Sequence, residues 1–262
     1  MGLTLAKPGQ HPDSPRMLRR TIASLWFSLL CLPLYAETVV FAAASLKEPL
    51  DALAMQQDGV VVSYGGSGTI ARQVMQGAPA DIVVLANTAW MEALDNNGAI
   101  DPKTIKDVAS NRLVLISHKD IGEMPLDVNA INIARDGGPI AMGLTDAVPA
   151  GVYARSAFET LGLWDDLRGH VAELDSVRGA LALVARGQAP LGVVYATDAE
   201  ASDTVYVASK IPPTAHPTIR YQGAMTSEAD IEASAFWELL TGPVGQGAFL
   251  DAGFLPALRD AP

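Results

Sequence analysis

Short, mostly apolar runs recur along the chain, separated by segments whose apolar residues fall at helical spacing. Thr38–Ala42, Val60–Tyr64, Asp81–Leu85, Leu113–Ser117, Ile140–Leu144 and Leu191–Tyr195 are such runs. Continuous apolar character over so short a length is what a strand buried on both faces of a parallel sheet shows. Leu46, Leu50, Leu53 and Ala54 lie on one helical face and predict a helix beginning near Ser45. Further helices are predicted over TIARQVMQG after Gly68, Trp90–Leu94, VYARSAFETLG after Gly151, VRGALALVARG after Ser176, and about Ile231–Leu240, the last ending near Gly242-Pro243. The stretch after Ser117, with Gly137, Gly138 and Pro139, reads as loop-rich.

Local signals refine the helix starts. Ser45 and Glu48 have capping-box spacing, and Ser176 has the position of a simple N-cap. Pro49 lies deeper than the favoured first helical position, so an irregular first turn is expected. The strand–helix alternation predicts α/β architecture with mainly parallel sheets flanked by helices. Two such sets, each too small to use the whole length, predict two lobes. The crossings are placed near Leu113 and Thr218, giving one lobe from 37–112 with 218–262 and a second from 113–217. No repeat with a period of 20–50 residues is visible in the sequence.

The N-terminal segment has a different grammar. Residues Met17–Ala36 place Arg19 and Arg20 before an apolar run, Ile22–Leu32, followed by Pro33 and the small residue Ala36. That is the pattern of an export signal cleaved before Glu37, with Met1–Arg16 as an extension. The run is short for a permanent membrane anchor. Export predicts a periplasmic protein.

Charge and composition narrow the partners. The 262 residues are 49% hydrophobic and carry a net charge of −11. Residues 1–36 contribute Lys7, Arg16, Arg19 and Arg20 against Asp13, so the remainder stands near −14. Such a body repels nucleic acid and anionic lipid, and can take up an anion only where local donors override the long-range field. The lone cysteine, Cys31, falls in the signal segment, which leaves the exported chain without a disulfide or thiolate metal site.

Four strand-to-helix junctions carry small or hydroxyl residues: Ala43-Ala44-Ser45, Gly66-Ser67-Gly68, Val148-Pro149-Ala150-Gly151 and Ser176-Val177-Arg178-Gly179. A helix start exposes unpaired backbone N–H groups at the positive end of the helix dipole, and small residues let an anion approach them. The same residues also serve as plain caps, so each junction by itself fits either role. Gly65-Gly66-Ser67-Gly68-Thr69 misses the nucleophile elbow at its last position and lacks the Gly-Lys-Ser/Thr of a phosphate loop. His118, His170 and His216 sit in no pattern that pairs with a serine or binds a metal. A serine hydrolase using Ser45 or Ser67 is thus a weaker reading, and no catalytic residue or cofactor is assigned. Arg178 fits an anion clamp or a surface role, and Tyr195 ends a strand with its hydroxyl free to reach the surface.

Taken together, TVVFAAASL (38–46), GGSGTIARQVMQGAPADIVV (65–84), VPAGVYAR (148–155), VRGALALVARGQAPLGVVYATDA (177–199) and GFLPAL (253–258) resemble, in order, the periplasmic molybdate-binding proteins of ABC importers. The resemblance implies a two-lobed type II periplasmic-binding-protein fold with the ligand in the interlobe cleft, held without a metal or counter-charge. It implies as ligand residues Ser45 and Ser67 through hydroxyl and backbone N–H, Ala150 and Val177 through backbone N–H, and Tyr195 through its hydroxyl. It also implies a permease with its ATPase as partners for a monomeric binder. Tungstate, sulfate or another tetrahedral oxyanion is the alternative ligand. A sensor domain of a transcription regulator shares the fold class, but the signal segment and the lack of a DNA-binding helix pair argue against it. Where relatives often carry more serines, this chain has Gly65, Gly66 and Gly68 around Ser67, which predicts one hydroxyl fewer and a looser loop.

Overall fold

The computed structural model describes residues 37–258, so the signal segment and Cys31 lie outside the described residues. The first part of the chain runs β1 (Thr38–Ala43), α1 (Lys47–Ala54), β2 (Val60–Gly65), α2 (Ser67–Met75), β3 (Ile82–Leu85), α3 (Thr88–Asn97) and β4 (Lys106–Ala109). It continues through β5 (Leu113–Ser117), α4 (Val128–Arg135), β6 (Ile140–Gly143), α5 (Pro149–Thr160), α6 (Trp164–Leu167), β7 (Val171–Leu174), α7 (Val177–Ala185), β8 (Leu191–Tyr195), α8 (Ala196–Glu200) and β9 (Tyr206–Lys210). It closes with β10 (Tyr221–Met225), α9 (Ala233–Thr241) and α10 (Pro243–Asp251).

Two five-stranded sheets result, ordered β2-β1-β3-β10-β4 and β7-β6-β8-β5-β9. The orders are the same pattern: a parallel trio with its first strand central, then a strand delivered by the crossing chain, then an edge. The expectation of mainly parallel sheets holds, with one reversed strand in each: four of the five strands run the same way. β1 runs parallel to β2 and β3, but β10 is antiparallel to β3 and β4. Likewise β6 runs parallel to β7 and β8, but β5 is antiparallel to β8 and β9. The cause is the crossing itself. Leu113 at the start of β5 pairs with Tyr195 at the end of β8, and Gln222 near the start of β10 pairs with Leu85 at the end of β3. A chain arriving from the other sheet enters where the parallel strands finish and must run against them.

Elements absent from the reading of the sequence are short or punctuated. β4 (KDVA), β7 (VAEL) and β9 (YVASK) are edge strands in which exposed Lys106, Glu173 and Lys210 interrupt the apolar residues, so no continuous apolar run marks them. β10 is internal but contains Gly223, where an added Cβ would lie 3.0 Å from the Trp237 ring. α4, in the stretch read as loop, is capped by the Asp127 side chain on the Ala130 N–H and buries only Ile131 fully. α10 follows α9 directly, with Pro243 at its first position.

The core positions the strand ends. Val40 and Ala42 of β1 pack with Leu46, Leu50 and Leu53, all essentially without exposure, in a cluster that continues through the second sheet. Ile70, Ala71 and Val74 of α2 join Met91 and Leu94 of α3 against Val83 and Leu85 on the other face of the first sheet. Truncating a fully buried leucine such as Leu50 to Ala removes about 2–5 kcal/mol from such a core.

Candidate ligand-binding site

The carboxyl ends of β1, β2, β6, β7 and β8 feed the predicted junctions. After β1 the chain makes a 3-10 turn, Ala44–Leu46, before α1, which is the irregular start expected from Pro49. Ser67 is the first residue of α2, Ala150 the second of α5 and Val177 the first of α7. Residues at those positions have backbone N–H groups with no intrahelical acceptor. Carboxyl ends of parallel strands are where open α/β sheets hold ligands.

Ser45, Ser67, Ala150, Val177 and Tyr195 all line one small cavity of about 10 Å³. Ser45, Ser67, Ala150 and Tyr195 are each 1% exposed and Val177 is 3% exposed. The rest of the lining is backbone and small or apolar side chains, including Ala43, Gly66, Ala86 and Pro149; no Lys, Arg, Asp or Glu contributes to it. The site is therefore uncharged, and what it offers is donors. The Tyr195 hydroxyl is buried without a hydrogen-bond partner of acceptable geometry. Burial, with the nearby Tyr221 and Tyr153 hydroxyls and the Asp198 carboxylate, pushes its pKa far up, so it remains a proton donor. Larger surface grooves are poorer candidates for an anion: the one beside α10 is lined by Glu48, Glu200 and Asp251.

Two capping expectations diverge. Ser176 caps α7 as expected, its Oγ accepting the Gly179 N–H at 3.2 Å. The Ser45–Glu48 capping box does not form. Ser45 Oγ instead meets the Tyr221 hydroxyl at 3.0 Å, and Glu48 pairs with Arg178. Ser67 does not cap α2 either; its Oγ accepts the Ala86 N–H at 3.1 Å. Arg178 is no clamp. Its guanidinium lies against the Asp198 carboxylate at 2.6 Å and against Glu48, outside the cavity lining. Asp198 has no exposure, and burial pushes its pKa up to about 6 despite the Arg178 charge.

The junctions of the two sheets meet closely across the cavity. Trp90 Nε1 donates to the Ala147 carbonyl at 2.8 Å, and the Tyr153 hydroxyl donates to the Ala86 carbonyl at 3.4 Å. A Cβ at Gly66 would lie 2.2 Å from the Asp175 carbonyl oxygen, and one at Gly68 would lie 2.8 Å from that of Ala147. Gly66 and Gly68 thus let the opposing backbones approach.

A sequence model for bacterial extracellular solute-binding proteins matches residues 38–255. The chain belongs to that family. Molybdate-binding protein ModA of Escherichia coli (strain K12) is 38% identical over 224 residues, covering 82% of this chain and 87% of the relative. ModA of Haemophilus influenzae is 35% identical over 243 residues, covering 89% of this chain and 94% of the relative. The solved periplasmic molybdate-binding protein of Azotobacter vinelandii superposes with a TM-score of 0.72 at 27% identity, over 86% of this chain and all of the other. The two mixed, helix-flanked sheets are thus those of the periplasmic-binding-protein fold. Several groups at the cavity had no local signal: Ala86 through its backbone, the Trp90–Ala147 bond and Tyr221. Each joins residues far apart in sequence.

Proposed function

We propose that this protein captures molybdate in the periplasm and delivers it to an ABC importer, a permease with its ATPase, as a monomeric binder that performs no chemistry. The observation that carries the reading is the convergence of five donor positions on one buried, uncharged cavity. The ModA relatives support molybdate as the oxyanion.

In this reading Ser45 and Ser67 donate through hydroxyl and backbone N–H, Ala150 and Val177 through backbone N–H, and Tyr195 through its hydroxyl. Molybdate at neutral pH is a dianion whose oxygens only accept, so an all-donor cavity suits it. Hydrogen bonds to a charged acceptor are the strong class, and helix starts spread the compensating charge without burying Lys or Arg. A protonated oxyanion would set its own donor against the site's donors and lose the bond it displaces. Residues 37–112 with 218–262 and residues 113–217 act as the lobes. They close about the two crossings, after β4 and after β9, and the donors of both lobes meet the ion together. The export signal over Met17–Ala36 places the protein where it meets its ligand.

Calorimetric titration with molybdate, tungstate, sulfate and phosphate in parallel tests the proposal. Tight binding of molybdate, with sulfate and phosphate much weaker, is expected. Ser67→Ala is expected to cost about 1–3 kcal/mol of binding, the scale of one hydrogen bond to a charged group. Sulfate binding as tightly as molybdate, or no oxyanion binding at all, refutes it.

A further inference from the structure

The two cavity serines share a feature that the ligand alone does not require: each Oγ is already engaged by a group behind it. The Ala86 N–H occupies a lone pair of Ser67 Oγ, so the Ser67 hydroxyl hydrogen is available to the cavity. A backbone N–H can only donate, which makes this orientation obligatory. Ser45 is engaged by a hydroxyl, Tyr221 OH at 3.0 Å, and a hydroxyl pair can run in either direction. If Ser45 donated to Tyr221, it would turn lone pairs toward the cavity and repel an anion.

The direction is biased one step further back. Asn111 Oδ1 accepts the Arg112 N–H at 2.8 Å, which fixes the amide so that its Nδ2 faces inward. That Nδ2 donates to Thr197 Oγ1 at 2.9 Å and, over a longer 3.5 Å, to the Tyr221 hydroxyl oxygen. With Asn111 donating to its oxygen, Tyr221 is favoured to give its single hydrogen to Ser45. All four side chains are buried, with Tyr221 unexposed and Asn111 at 6%, so bulk water does not compete for these bonds. The Tyr221 ring is wedged between Tyr195 at 5.7 Å and Phe254 at 5.3 Å, which holds its hydroxyl in place. Burial and the nearby Asp198 carboxylate also raise the Tyr221 pKa well above its ordinary value, so the proton stays on.

We infer that Tyr221 is a positioning residue that, oriented by Asn111, locks Ser45 as a hydrogen-bond donor and so makes the cavity discriminate against protonated oxyanions. The inference rests on the oxyanion-binding reading and concerns how its selectivity arises. A site whose serine could rotate would accept a P–OH hydrogen on Ser45 Oγ, and phosphate would then compete. With Tyr221 and Asn111 in line, that rotation leaves the Tyr221 hydrogen without its acceptor inside the core, a costly arrangement.

The test is a double-mutant cycle on the purified protein, read by calorimetry, with Ser45→Ala, Tyr221→Phe and the pair. The ligand is whichever of molybdate, tungstate or sulfate the wild type binds most tightly. Tyr221→Phe is expected to weaken that ligand roughly 3- to 10-fold, the range for one charge-assisted bond left imperfectly aimed. In the Ser45→Ala background the same change is expected to do almost nothing, because there is no hydroxyl left to orient. Phosphate added at pH 6 should displace the bound ligand from Tyr221→Phe at a concentration several-fold lower, relative to ligand affinity, than from the wild type. Asn111→Ala, which leaves both hydroxyls intact, should move affinity and phosphate competition in the same direction. Losses that multiply in the double variant, or an unchanged phosphate-to-ligand ratio in Tyr221→Phe, overturn the inference and reduce Tyr221 to a packing residue. A wild type that binds none of the oxyanions instead defeats the functional reading, and this inference with it.

Discussion

Gly151→Ala offers the sharpest probe of how a helix start is held at the cavity. Gly151 is the third residue of α5, directly after Ala150. A Cβ built there would lie 2.0 Å from the Gly143 carbonyl oxygen and 2.6 Å from that of Leu144, both backbone atoms at the end of β6. Cβ contacts below 3.0 Å essentially do not occur, so the start of α5 must retreat from β6 by about 1 Å or more. Gly151 lies in ordinary helical backbone, so the penalty is contact and not conformation. A hydrogen bond of about 2.9 Å from the Ala150 N–H to a bound oxyanion, stretched by that amount, is no longer a hydrogen bond. Losing one such bond costs about 1.5–3 kcal/mol, or roughly 10- to 150-fold in affinity. Overpacking costs a further 1–3 kcal/mol of stability. Calorimetry with molybdate reads the first number and denaturant unfolding of the ligand-free protein reads the second. Affinity within about threefold of the wild type, in a protein that folds, would show that α5 does not present Ala150 to the ligand as described.

Other consequences are more local. Gly247→Ala in α10 meets nothing within 4 Å, so it should stabilise the protein by about 0.5–1 kcal/mol in denaturant unfolding and leave binding unchanged. Trp90→Phe removes the Nε1–Ala147 bond that ties the two sheets' junctions together; binding should weaken by about 1 kcal/mol, mostly as faster release in stopped-flow chase. Asp198 binds its proton more tightly folded, with a pKa near 6, than unfolded, near 3.8. Its contribution to stability therefore falls as pH rises from about 4 to 6, by at most roughly 3 kcal/mol, and is flat above that. Asp198→Asn should remove this segment, so that the stability difference between wild type and variant changes between pH 4 and 7; a constant difference would contradict the assignment.

Local patterns in the sequence determined a good part of this protein. All six apolar runs became strands, five of them because a largely buried strand must be apolar throughout; β2, at a sheet edge with Val61 exposed, kept the run without that burial. Ser176 became a cap because the cap bond spans only three residues. The irregular turn before α1 followed from Pro49 alone. The motifs also placed Ser45, Ser67, Ala150, Val177 and Tyr195 at junctions, and those junctions do converge on one cavity. The edge strands β4, β7 and β9 stayed hidden, because half-solvated residues carry no apolar run and their pairing comes from neighbours far along the chain.

Tertiary structure alone decided the rest, wherever the deciding contact lies between distant residues. Ser45 and Tyr221 are separated by 176 positions and Glu48 and Arg178 by 130, so no local pattern could tell a capping box from a bridge or an anion clamp from a neutralised ion pair. The strand directions were set by where the chain crosses, and the shared order of the two sheets appears without any repeat in the residues. Periodicity and caps report forces that act within a few residues. The donor or acceptor character of a buried hydroxyl depends on what the fold sets behind it, and for Ser45 that is a tyrosine on the strand by which the chain returns to the first sheet.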